Sequence, residues 1–228
     1  MKDIFVTGTD TGCGKTEITL ALMDELKKQG IKVTGMKPVA SGGKKINDTY
    51  YNEDALRIQS ASSIKVPYEL INPYVFVQPI APHIAAAEIK QEIRFDVIHA
   101  CFHKLKKYAD TVIVEGVGGW KVPLTNDLQV ADLPKLLNLP VLLVVGLRLG
   151  CINHALLTTH AILASDCTLI GWIANQQDPG MLRKKENIEA LINKIDAPYL
   201  GYVPYGKRLK GTSTDLIVNW SNIKYVQI

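Results

Sequence analysis

Gly8-Thr-Asp-Thr-Gly-Cys-Gly-Lys15-Thr16 is the stretch from which the fold can be read. The apolar residues Ile4, Phe5 and Val6 lead into it, and a helical pattern starts at Glu17. Strand, glycine-rich loop and helix in that order form a cradle for nucleotide phosphates, because successive backbone N–H groups and the positive end of a helix point at anionic oxygens. Lys15 adds a mobile charge for β- and γ-phosphates, and the Thr16 hydroxyl is an oxygen donor suited to Mg²⁺. The common loop has four residues between its first Gly and the Gly-Lys pair. Here five residues separate Gly8 from Gly14, so Thr9 stands where the first Gly of that loop would be. The stretch identifies a phosphate site and says little about the reaction.

Outward from this loop, β-branched apolar runs alternate with helical periods, which predicts a mostly parallel sheet covered by helices on both faces, a P-loop-type α/β fold. Expected strands are Ile4–Thr7, Val33–Lys37, Thr111–Glu115, Val141–Val145, Leu169–Ala174 and Tyr199–Val203. Expected helices are Thr16–Gln29 with Gly30 just beyond it, Asp54–Ser60, His83–Ile89, Phe95–Tyr108, Leu128–Leu137, Asn153–Ala164 and Leu182–Lys194. No linker or repeat divides residues 1–228, so one domain is expected, with 206–228 as a tail of weak pattern.

Ligands in such sheets bind beyond the carboxyl ends of the strands. The residues there are Gly8 to Thr16, Lys37 to Gly43, Glu115-Gly-Val-Gly-Gly119, Gly146 to Asn153 and Asn175 to Asp178. Lys37, held extended by Pro38, would bring a cation beside the γ-phosphate, with the Ser41 hydroxyl after it; a strand-end Lys in solvent is the plainer alternative. Glu115 follows four apolar residues and needs a partner, either Mg²⁺ or a nearby Lys. Asp54 is a second carboxylate for a metal, or simply an acid in the first turn of a helix. Gly150-Cys-Ile-Asn153 opens a helix whose N–H groups would hold a carboxylate, unless Asn153 merely caps it. Asn193-Lys-Ile-Asp196 spells a guanine-reading tetrad, but it ends a helical pattern and reads as a helix terminus. Asn175-Gln-Gln-Asp178 follows a strand, where a base would be read.

Bulk properties narrow the classes. Hydrophobic residues make up 47% and charged residues 21%, as in ordinary globular proteins, and a net charge of +4 does not argue for nucleic acid. The basic cluster Lys207, Arg208 and Lys210 reads as a solvated loop. Cys13, Cys101, Cys151 and Cys167 have neither CxxC nor zinc spacing, which fits free thiols in a reducing cytoplasm. The apolar stretches are far short of the ~20 residues that span a bilayer, so neither export nor a membrane partner is expected.

Taken together, the blocks resemble dethiobiotin synthetases over about residues 1–205. The matching blocks are Gly8-Thr-Asp-Thr through Gly14-Lys-Thr16, Lys37-Pro-Val-Ala-Ser41-Gly42, Asn72-Pro-Tyr, Pro82-His83, Glu115-Gly-Val-Gly-Gly-Trp120, Val144 through His154, and Gly171-Trp-Ile-Ala-Asn175. The resemblance implies an ATP-dependent ligase that closes a ureido ring on 7,8-diaminononanoate with CO₂ or bicarbonate. It further implies that Thr11, Gly12, Cys13, Gly14, Lys15 and Thr16 hold the ATP phosphates, and that Thr16, Asp54 and Glu115 surround Mg²⁺. Lys37, Lys15 and Ser41 would serve the chemistry, with Lys37 and Ser41 on a carbamate, and Asn175 would contact the base. Gly118, Gly150, Cys151 and Asn153 would reach the diamine substrate, partly across a homodimer interface. Three features depart from the family: Gly12-Cys13 in the loop, Glu186-Asn187 where relatives can carry an aromatic residue, and the short tail beyond Pro204. Switch ATPases of the plasmid-partitioning or septum-positioning kind share this fold, but they usually carry a further Lys early in the loop, where this chain has Asp10 and Thr11. A metallochaperone-type GTPase would bring a His- or Cys-rich tract that is absent from the sequence.

Overall fold

The computed structural model describes residues 3–206 and 217–220; Lys207, Arg208, Lys210 and most of the 206–228 tail lie outside the described residues. In chain order the elements are β1 (Ile4–Gly8), α1 (Lys15–Lys28), β2 (Val33–Met36), β3 (Val39–Ser41), β4 (Lys44–Ile46), β5 (Thr49–Tyr51), α2 (Glu53–Ala61), α3 (Tyr68–Ile71), β6 (Tyr74–Phe76), α4 (Pro82–Glu88), α5 (Phe95–Leu105), β7 (Thr111–Glu115), α6 (Asp132–Leu136), β8 (Val141–Leu147), α7 (Cys151–Leu163), β9 (Leu169–Gln176), α8 (Lys184–Ile192), β10 (Tyr199–Val203) and β11 (Ile217–Val218).

Among the described residues the main sheet runs β11-β10-β9-β8-β1-β7-β2. All of its pairings are parallel except β10 with β11. The P-loop-type α/β expectation therefore stands. The runs that read as continuous apolar stretches are buried along their whole length, as β1, β7, β8 and β9 show, because helices cover both faces of a parallel sheet. Each fully buried Leu, Ile or Phe in these strands contributes roughly 1.5–3 kcal/mol of transfer free energy.

β1 lies between β8 and β7, so the chain leaves the sheet at its centre and returns on either side. Register then aligns the strand ends: Val6 pairs with Glu115, Gly8 with Val144, and Gly146 with Asn175. A crevice at such a reversal of strand order is where the fold places ligands.

Helix α1 ends as expected, with Gly30 at φ +78° taking the left-handed turn beyond Gln29. Other boundaries differ for local reasons. α6 begins at Asp132 and not Leu128, because Leu128 and Asp127 donate backbone N–H groups to the Thr125 hydroxyl and Leu128 O accepts from Leu124. α5 stops at Leu105, and β2 at Met36, where the Lys37 N–H turns to Ile71 O (2.8 Å). Two small sheets were not expected: parallel β3–β6, and the exposed hairpin β4–β5, whose turn residues Asn47 and Asp48 have φ of +47° and +64°.

Candidate functional site

The phosphate loop is a fixed shape. Thr9, the residue in place of the usual Gly, is bound to strand β8: its N–H donates to Val144 O (3.0 Å) and its hydroxyl accepts from Gly146 N–H (3.1 Å). Asn175 Nδ2 and Gln177 Nε2 both donate to Cys13 O, at 2.8 and 3.3 Å. The fit is tight. A Cβ on Gly14 would fall 1.9 Å from Asn175 Nδ2, and Gly14 has φ +95°, so only Gly serves there. A Cβ on Gly8 would lie 2.2 Å from Cys13 Sγ, and one on Gly146 3.0 Å from Cys13 Cβ. The Cys13 side chain therefore fills a slot between two glycines beneath the loop, which accounts for a small residue at this departure from the family pattern.

Lys15 and Thr16 open α1 and are almost buried. Lys15 Nζ donates to Asp10 O (2.9 Å), so the ammonium is drawn back over its own loop. Asp10 in turn pairs with Arg148 at the end of β8, tying the loop to the turn before α7.

Lys37 and Glu115, at neighbouring strand ends, meet in the same place. Lys37 Nζ is 2.5 Å from Glu115 Oε1 and 3.2 Å from Asp54 Oδ2. The Thr16 hydroxyl donates to the same Glu115 Oε1 at 2.9 Å. Burial alone would lower the Lys37 pKa; the attraction of Glu115 and then Asp54, with their hydrogen bonds, outweighs it and holds the ammonium above its ordinary value. Its backbone is fixed as well: Asn72 Nδ2 donates to Lys37 O (2.7 Å), and Tyr68 OH donates to Asn72 Oδ1 (2.8 Å). The other oxygen of Glu115, Oε2, is buried without a partner among the described residues, and so is Ser41 Oγ. A buried acceptor left unpaired costs on the order of 1–3 kcal/mol, more when charged, so these two atoms point to a ligand.

A cleft of about 780 Å³ gathers Thr11, Gly12, Gly14, Lys15, Thr16, Lys37, Ser41, Asp54, Glu115, Gly118 and Asn175. Eleven expected site residues, from four of the five strand ends and the first turn of α2, thus share one space. Gly118 sits in a turn anchored by Trp120, which is buried edge-on against Phe5 with centroids 6.5 Å apart. Asp54 is in the first turn of α2, whose cap is Asn52, accepting from Ala55 N–H (3.2 Å). Asp54 is thus an acid of a helix's first turn, and its carboxylate also reaches Lys37.

Gly150, Cys151 and Asn153 do not line this cleft; they form the start of α7 nearby. Asn153 is not the cap as considered above: the helix starts at Cys151, Gly150 (φ +91°) precedes it, and no side chain caps the N–H groups. Asn187, in place of the aromatic residue, lies beside this turn in the same chain, where its Oδ1 accepts a weak Cys151 S–H contact at 3.9 Å. The Asn193–Asp196 tetrad follows the end of α8 and is a helix terminus.

Several contributors carried no motif: Arg57, Pro79, Val122 and Tyr205 also line the cleft, beside Pro82 and Gln177 from the blocks quoted above. Gln176 Oε1 accepts from Tyr202 OH, Lys184 Nζ (3.3 Å) and Tyr205 N–H (3.4 Å), so its amide is committed to the fold. Neither is there a group of three or more His, Cys, Asp or Glu among the described residues that would bind a metal by itself. The donors present are hard oxygens: the Thr16 hydroxyl, Asp54, and Glu115 with its free Oε2. They suit Mg²⁺, which keeps several waters and shares phosphate oxygens with its nucleotide.

Residues 2–213 match a family model described as an AAA domain. The chain is 53% identical over 201 residues to the ATP-dependent dethiobiotin synthetase BioD of Aromatoleum aromaticum, covering 88% of this chain and 89% of that one. It is 52% identical over 204 residues to the protein of the same name from Nitrosospira multiformis, covering 90% and 88%. Among solved structures it resembles the MinD cell division protein of Aquifex aeolicus (TM-score 0.53, 17% identity, 92% of this chain and 84% of that one). It also resembles the signal recognition particle receptor FtsY of Elizabethkingia anophelis in complex with GDP (TM-score 0.52, 19% identity, 98% and 63%). These two likenesses establish the shared fold alone. No helix among the described residues is long and apolar enough to cross a membrane.

Proposed function

The chain belongs to the ATP-dependent dethiobiotin synthetase family, and we propose that it closes the ureido ring of dethiobiotin from 7,8-diaminononanoate, CO₂ and ATP. The observation that carries this reading is the Lys37 ammonium held between Glu115 and Asp54 at the edge of the phosphate loop, with the unpaired Ser41 hydroxyl in the same cleft.

The chemistry assigns each group a task. One amine of the substrate adds to CO₂ and loses a proton, giving a carbamate. A carbamate is a poor electrophile, so its oxygen takes the γ-phosphoryl group of ATP, releasing ADP. The second amine then attacks the carbonyl carbon, phosphate leaves with the oxygen, and a proton is lost as the cyclic urea forms. In-line phosphoryl transfer needs positioning and charge neutralisation more than a strong base. Lys15 and the loop N–H groups bind the phosphates, and Lys37 and Ser41 orient the carbamate oxygen. Mg²⁺ held by Thr16, Asp54 and Glu115 would neutralise phosphate charge. Asn175 at the far end of the loop lies where the nucleoside would rest.

The N–H groups of Gly150 and Asn153, at a helix start with no side-chain cap, suit the substrate carboxylate, whereas that of Cys151 already donates to Arg148 O (3.0 Å). Leu149 and Leu182 precede α7 and α8 and are 94% and 83% exposed, which supports a second copy of the chain covering this end and completing the site.

Bicarbonate labelled with ¹⁸O tests the sequence of steps. The label is expected in inorganic phosphate, because the carbamate oxygen leaves with phosphorus; unlabelled phosphate alongside labelled product would reject the phosphorylated carbamate.

A further inference from the structure

The exposed face of α5 carries a cluster with no part in the chemistry above. His99 and His103 stand one helical turn apart, so both imidazoles occupy the same stripe. Their Nε2 atoms are 3.0 Å apart and their ring centroids 4.2 Å apart. Two imidazole nitrogens bound to one ion at ~2.0–2.1 Å are about 2.9 Å apart when they meet at a right angle and about 3.4 Å at the tetrahedral angle. The observed separation matches the bite of a two-nitrogen chelate. We propose that His99 and His103 form a binding site for a first-row divalent transition metal of the Zn²⁺, Ni²⁺ or Cu²⁺ kind, separate from the phosphate cleft.

The surroundings define the site's class. Neither imidazole has a carboxylate partner among the described residues, and both are exposed to solvent. Asp96, three residues ahead of His99, has both oxygens held by Arg94, at 3.2 and 2.5 Å. Two nitrogens therefore do the binding and water fills the remaining positions, which makes a reversible surface site in place of a closed four-ligand one. Imidazole favours Zn²⁺, Ni²⁺ and Cu²⁺, whereas Mg²⁺ prefers oxygen, so the cation of the cleft does not compete. For chelation both rings carry their proton on Nδ1, so the N–H between the rings moves within one imidazole through solvent and none is lost. The inner face of α5, with Ile98, Cys101, Phe102 and Leu105, is buried in the core. An ion clasping His99 to His103 therefore locks a turn that is already anchored, and it binds the folded state in preference to the unfolded.

The full untagged chain, in excess Mg²⁺, is titrated with Ni²⁺ by calorimetry and followed by thermal unfolding. The expected result is one Ni²⁺ per chain from this pair and a rise in Tm. His99→Gln with His103→Gln should weaken that binding at least tenfold and remove the rise. His103→Gln with Lys104→His keeps the number of histidines but breaks their spacing, and should behave like the double Gln variant. ATP turnover with Mg²⁺ alone should stay at the parent level in all three proteins, showing that they are folded. Parent-like Ni²⁺ affinity in either variant would overturn the proposal, as would the absence of Ni²⁺ binding by the parent.

Discussion

Lys37 donates to Glu115 across 2.5 Å, with the two side chains 6% and 0% exposed. One ammonium thereby joins the ends of β2 and β7 at the point where the phosphate loop leaves β1. The pair lines the same cleft as Lys15 and Thr16, and four outcomes depend on it or on the loop beside it.

Lys37→Ala should slow turnover by more than a hundredfold with little change in ATP affinity. Removing one preorganised donor at a developing charge costs ~3 kcal/mol in the barrier. Steady-state kinetics with a direct measurement of ATP binding separate the two effects. A variant within a few-fold of the parent would remove Lys37 from the chemistry.

The same pair bears on stability. Lys37→Met leaves the Glu115 carboxylate buried with only the Thr16 hydroxyl, and such a broken pair costs on the order of 3–5 kcal/mol. Adding Glu115→Gln should recover much of that loss, since the uncompensated charge is gone. Urea unfolding of the parent, both single variants and the double variant measures the coupling; additive losses would mean that the contact contributes little.

Gly14→Ala should abolish nucleotide binding while the sheet persists. The new Cβ would fall 1.9 Å from Asn175 Nδ2 in a left-handed conformation, so the brace on Cys13 O must break. Fluorescence titration with ATP, beside a circular dichroism spectrum, checks both halves. Parent-like affinity would show the brace to be dispensable.

The Lys37 ammonium is held above its ordinary pKa near 10.5, so the folded state binds its proton more tightly than the unfolded state does. Its contribution is therefore fully present below that ordinary value and is lost as pH rises through the raised one. Tyr199, pushed up to about 12 by burial, adds to the alkaline loss in the same direction. The difference in unfolding free energy between parent and Lys37→Met should stay level from neutral pH to about 10 and shrink above it. A difference that instead grew with alkali would contradict the assignment.

Much of this was legible in the residues. The six long strands announced themselves because a parallel sheet buried on both faces demands unbroken apolar runs, and Val141–Leu147 is buried throughout. Gly8 through Thr16, Lys37 and Glu115 could be read because a ligand site at strand ends requires charges and glycines there. What could not be read was pairing at a distance. Lys37 joining both Glu115 and Asp54 depends on strand order, which no local pattern encodes. Asn175 and Gln177 bracing Cys13 O span more than 160 positions. The three-residue strands β3 and β6 are too short to show a period, yet they carry Ser41 into the cleft. The start of α7 was misplaced because Asn153 looked like a cap while Gly150 takes that position.

ADP formation in four mixtures, containing ATP and Mg²⁺ with 7,8-diaminononanoate, with bicarbonate, with both and with neither, tests the central claim most directly. A dethiobiotin synthetase should release ADP rapidly only when both are present, with one ring-closed product per ADP. Equal ADP release in all four mixtures would mark a nucleotide switch on the same fold and contradict the account.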